Sequence, residues 1–228
     1  MLTVFTFLFA PRKTIAQISA RPAWLATFAI LASLTIALTV LLHPFVANET
    51  LAHLPDSATP HEKEVIRLFL QHELIKQCFF LPIRLLAGWA AFAFTLYLIV
   101  RSLSPLSSLQ FKKIFTLTLH AEFILLLGKT ATLISLYVAN DTITNRTSLI
   151  PFSLAAFIPT NDIITFSLYN SLNFFTLGYT ALLIFGVLKC TELSFPKSLL
   201  AVLLAWFVYL LFNIGTIGFL RETMHFLI

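Results

Sequence analysis

Five apolar runs of bilayer length alternate with short polar segments along the chain: Trp24–Leu42, Phe79–Val100, Ile114–Val138, Phe166–Leu188 and Ser198–Leu220. A hydrocarbon core about 30 Å thick needs about 20 consecutive apolar helical residues, because backbone polar groups in lipid must be satisfied within the segment. The pattern therefore predicts an all-α fold, an integral membrane bundle of five transmembrane helices over residues 24–228, with a short segment 1–23 in front of it.

The longest connection, residues 43–77, contains one strong helix start. Thr59, Pro60 and Glu62 form a capping box with proline at the first helical position, which predicts a short helix over about 59–77 in the outer loop. Its apolar residues Val65, Ile66, Phe69, Leu70 and Ile75 form only a diffuse face. The expectation is a helix packed on the bundle mouth or running into the second span, with a bend near Pro82.

Composition strengthens the membrane reading. The chain is 58% hydrophobic and 11% charged, with 24 phenylalanines, too little polar surface to cover a water-soluble globule. Charge then supplies an orientation. Arg12, Lys13, Arg21, Arg101, Lys112, Lys113, Lys189 and Lys197 fall on one side with Glu192 as the sole acid, whereas the other side mixes signs. The positive-inside rule places the N-terminus in the cytoplasm and the C-terminus outside. Arg12, Lys13, Arg21, Lys112 and Lys113 form a basic membrane surface suited to anionic lipid, so the net charge of +5 calls for no nucleic acid.

The opening "MLTVFTFLFA" has no basic residue before its apolar part and is followed by "PRK", so it reads as a retained segment lying in the cytoplasmic headgroup region, with a disordered or merely packed tail as the alternative. In this topology Cys78 and Cys190 lie on opposite faces of the membrane and form no intramolecular disulfide. His61 and His72 recur on nearly one helix face, but their spacing of about 16 Å is too long for one ion. The sequence calls for no metal and no cofactor.

Candidate chemistry lies inside the spans. A charged side chain at the bilayer centre costs about 2.5–3.5 kcal/mol even on insertion scales, so such residues face protein or water and have partners. Glu122 and Lys129 are both near mid-span, seven residues apart and on one helical face, with an axial separation of about 10 Å. Topology puts Arg84, Asn170, Asn173 and Asn213 near the level of Lys129, and His120 deeper, at the level of Tyr97 and Tyr179. Two readings of this polar cluster stand side by side. It is an internal ion pair with amides that fix helix register, or it is a polar path that receives a headgroup, an anion or a proton.

No GxSxG, HExxH, CxxC, Walker lysine or close pair of intramembrane carboxylates is present, so the chain reads as a non-enzyme. Two stretches resemble a known family. "FAPRKTIAQISARPAW" before the first span, and "SLNFFTLGYTALLIFGVLKCTELSFPKSLLAVLLAWFVYLLF" at the end, are similar to prokaryotic members of the Yip domain family, Ypt/Rab-interacting multi-pass membrane proteins. The second stretch has Asn173-Phe174 opening the fourth span, Gly186 near its end, Lys197 in a short basic turn and Trp206 in the fifth.

The resemblance implies a five-span helical bundle in the cytoplasmic (inner) membrane of a bacterium. It also implies an adaptor or organiser that contacts lipid or protein partners. The chain departs from eukaryotic members, whose long cytosolic tail carries the acidic-aromatic motif used in partner contact: about two dozen residues precede the first span here. Expected partners are the lipid bilayer, anionic lipid, and a second copy or another membrane protein. The alternative function is a transporter or channel for a small solute, an anion or a lipid, built on the intramembrane polar cluster.

Overall fold

A computed structural model describes residues 10–20, 22–55, 57–104, 109–138, 150–158, 160, 162–191 and 193–225, with the backbone alone at 11, 12, 19, 163 and 213–225. In chain order the helices are α1 (Pro11–Ala20), α2 (Trp24–Ala52), α3 (Pro60–Leu103), α4 (Phe111–Val138), α5 (Leu154–Phe157), α6 (Ile163–Ser171), α7 (Phe174–Cys190) and α8 (Phe195–His225). Among the described residues there is no strand, only an isolated antiparallel bridge between Ser153 and Asn173. Four helices are long and apolar enough to cross a membrane: α2, α3, α4 and the Phe195–Phe212 part of α8.

The capping box at Thr59 forms as the sequence predicts. Thr59 Oγ1 accepts from the Glu62 N–H at 3.2 Å, and the Glu62 carboxylate accepts from the Thr59 N–H at 2.7 Å. The helix it starts is not a separate outer-loop element. It is the first part of α3, which runs through Pro82 without interruption for 44 residues, about 66 Å at 1.5 Å per residue. That length exceeds a bilayer core by about a factor of two, so α3 is longer than a single crossing needs. In its first part Glu64 pairs with Arg67 at 3.4 Å and Glu73 with Lys76 at 2.8 Å, one helical turn apart.

The expected fourth span is two helices. α6 ends at Ser171 and α7 begins at Phe174, with Leu172 and Asn173 between them. Asn173 makes the break by leaving helical geometry and capping α7: its Oδ1 accepts from the Thr176 N–H at 2.8 Å, and its Nδ2 donates to the Asn170 carbonyl at 2.8 Å. Asn170 Oδ1 in turn accepts from the Ile150 N–H at 2.9 Å, and the Leu154 N–H donates to the Leu172 carbonyl at 2.9 Å. These bonds satisfy part of the backbone freed at the break.

α4 is the central helix, packed against α2, α3, α7 and α1. Every residue from Ile114 to Ala121 on it is buried. Small residues let α7 approach closely: a Cβ at Gly178 would lie 3.3 Å from Ile124, one at Gly128 3.0 Å from the Phe175 ring, and one at Gly186 would run into Leu117. α1 closes the same end of the bundle, with Thr14, Ile15 and Ile18 buried. Its buried residues are thus turned to α4 and α7. Residues 1–9 and Arg21 lie outside the described residues.

Candidate functional site

Two cavities meet at Lys129. The inner one, about 350 Å³, is enclosed by α2, α3, α4, α6, α7 and α8. α4 contributes Glu122, Leu125, Leu126 and Lys129, which its helical period places along one stripe. α3 contributes Leu85, Gly88, Trp89 and Phe92, and the far wall carries Tyr179, Trp206 and Tyr209. Hydroxyls of Thr35, Ser167, Ser171 and Thr176 punctuate the apolar surface. The outer cavity, about 380 Å³, lies between α2, α3 and α4 and is bordered by His43, Glu73, Gln77 and Thr132. Among the described residues, Lys129 alone lines both.

Glu122 is half-buried, with the Trp89 indole and the Tyr179 hydroxyl near its carboxylate. Lys129 opens into the cavities as an exposed side chain and feels two charges of opposite sign, Glu122 and Arg84. Neither Lys129 nor Arg84 has a carboxylate within 4 Å among the described residues, so the ion pair expected of the structural reading does not form. Phe92 is a shared neighbour of the two tyrosines, with ring centroids 6.0 Å from Tyr179 and 5.7 Å from Tyr209. The result is an apolar, aromatic chamber with a few convergent polar groups, the usual make-up of a small-molecule site.

The remaining sequence candidates divide cleanly. Arg84 lies close to Lys129 but on an exposed surface of α3 and outside both linings. Asn170 and Asn173 spend their amides on the break between α6 and α7 and do not line the cavities. His120 is buried on another face of α4, its Nδ1 2.8 Å from the Thr116 carbonyl, and lines neither cavity. Tyr97 is bonded to Arg101 at 2.6 Å near the end of α3. The Asn213 side chain lies outside the described residues, as does that of Arg12. Of the basic surface, Lys13 and Lys112 are exposed and Lys113 half-buried.

Sequence reasoning missed Trp89, Tyr209, Thr35 and the serines of α6. Trp89 and Tyr209 had a usable signal: polar-tipped aromatics belong at membrane interfaces, and both sit well inside apolar runs. Thr35 and the serines had none, since hydroxyls in spans are commonly absorbed by their own helix, as Thr35 is by the Leu31 carbonyl at 2.7 Å. Among the described residues no group of three His, Cys, Asp or Glu side chains comes together to hold a metal. Comparison with protein-family models, curated proteins and solved structures returns no match for this chain.

Proposed function

We propose that the protein binds a small ligand with an anionic group in its inner cavity, admitted from the outer face past Lys129. The observation that carries this reading is the shared position of Lys129 between the two cavities, with Arg84 adding a second positive charge nearby. Two neighbouring cations repel, and an anion between them relieves that repulsion. The reading includes five passages through the cytoplasmic membrane of a bacterium, α6 and α7 together making the fourth, with the N-terminus inside and the C-terminus outside. The charge asymmetry of the connections supports that orientation. Transport or channelling of the ligand extends the same proposal.

The adaptor role implied by the Yip resemblance has its own support. Lys13, Lys112, Lys189 and Lys197 are exposed on the end of the bundle where α1, the start of α4 and the turn from α7 to α8 meet. Such a surface attracts anionic lipid or an acidic partner.

Native mass spectrometry of the gently solubilised protein tests both. A retained small ligand, lost in Lys129→Met and in Gly88→Leu, supports the binding role. Gly88 lines the cavity with nothing within 4 Å of an added Cβ, so leucine there fills the chamber without touching its charges. A stoichiometric protein partner unchanged by either substitution supports the adaptor role. A bare wild-type chain sinks the binding proposal.

A further inference from the structure

The inner cavity holds one acid and one base that are not paired with each other. Glu122 and Lys129 line the same space from one stripe of α4, separated axially by about 10 Å at 1.5 Å per residue, and no ion pair within 4 Å joins them. Their surroundings differ. Around Glu122 the wall is aromatic: Trp89 and Tyr179 lie near its carboxylate, and Phe92 and Tyr209 pack beside Tyr179. Around Lys129 the wall is more polar, with Arg84 adding a second positive charge and Glu122 acting on the lysine from along the stripe.

We infer that the ligand is a zwitterion, with its cationic end seated against the aromatic wall beside Glu122 and its anionic end at Lys129. This rests on the ligand-binding reading above and goes further by naming the ligand's chemical class. Three considerations converge. An anion alone leaves the Glu122 carboxylate uncompensated in the cavity and a cation alone leaves Lys129 so, whereas a dipolar ligand satisfies both and adds no net charge. A carboxylate has about four acceptor positions, more than the neighbouring Trp89 and Tyr179 donors can occupy, so Glu122 retains capacity for an ammonium. Aromatic faces near a carboxylate are suited to alkylammonium groups through cation–π attraction.

Spacing narrows the class. With nearly two helical turns between the two residues on α4, a zwitterion with a linker between its charges, such as a phosphoammonium compound, fits better than an α-amino acid, whose ammonium and carboxylate sit on one carbon. The same chemistry occurs in a free phosphocholine-like solute and in a zwitterionic lipid headgroup.

The test is isothermal titration of the full chain in maltoside micelles with four soluble probes: phosphocholine, choline, methyl phosphate and glycine. Phosphocholine is expected to bind at least tenfold tighter than each of the others. Lys129→Gln should reduce phosphocholine binding to the level of choline, with Lys129→Arg restoring it. Glu122→Gln should reduce it to the level of methyl phosphate. Equal binding of methyl phosphate and phosphocholine to the unaltered protein overturns the zwitterion inference and leaves an anion site standing. Absence of binding by all four, together with a bare chain in the mass spectrum, overturns both. Lysophosphatidylcholine identifies the source: binding over tenfold tighter than phosphocholine marks a lipid headgroup, and equal binding marks a free solute. The comparison of probes on the unaltered chain decides the matter even where a variant fails to fold.

Discussion

Gly88 and Gly186 look alike in sequence, each a single glycine in an apolar helix, yet their surroundings are opposite. Gly88 faces open space on the cavity wall, while a side chain at Gly186 would run into Leu117, a fully buried residue of α4. Gly88→Leu is therefore expected to leave the melting temperature unchanged and abolish ligand binding. Gly186→Leu should destabilise the protein by about 1–3 kcal/mol, the usual cost of overpacking a tight core, read as a lower melting temperature in the same detergent. The reverse pattern would mean that the cavity is structural. The sequence placed Glu122 and Lys129 on one face correctly because helical spacing alone decides that. It grouped His120 and the two asparagines with them because depth in the membrane can be counted along the chain, whereas the direction in which neighbouring helices turn cannot.

At the level of elements, the break at Leu172–Asn173 shapes the cavity, since Ser167 and Ser171 reach it from α6 and Thr176 and Tyr179 from α7. Asn173→Ala removes the cap of α7 and is expected to cost about 1 kcal/mol, with a further loss of ligand affinity as the wall loosens. Thermal melting and titration on the same sample would separate the two effects, and unchanged affinity would disconnect the break from the site. Thr59→Ala removes the other cap, at the outer end of α3 and far along the helix from Gly88. Faster hydrogen exchange of amides 61–63 is expected there, with binding unaltered; slow exchange in the variant would mean that packing, not capping, starts the helix. The capping box was legible because it is a local pattern with a fixed spacing. The break was not, because Asn173 lies in an apolar run with no proline or glycine beside it, and the Ile150 N–H that Asn170 accepts is brought to the break only by folding.

Across the whole molecule, basic residues collect at one end and the long helical extension of α2 and α3 at the other. If the orientation is as proposed, Ser57→Cys, in the exposed turn between α2 and α3, should react with a membrane-impermeant maleimide on intact cells. Lys112→Cys, at the exposed start of α4, should react only after permeabilisation. Labelling in the opposite order would invert the topology and, with it, the side from which the cavities open. The sequence by itself determined that this is a helical membrane protein, where its apolar runs lie, where α3 begins and which two charges share a stripe on α4. These follow from composition, period and local hydrogen bonding, all of which act over a few residues. Only the tertiary structure decided that the fourth apolar run is two helices, that Glu122 and Lys129 stand apart, and that aromatic residues from α3, α7 and α8 close around the acid. Those outcomes depend on side chains distant in sequence competing for the same space, and hydropathy carries no information about which of them meet.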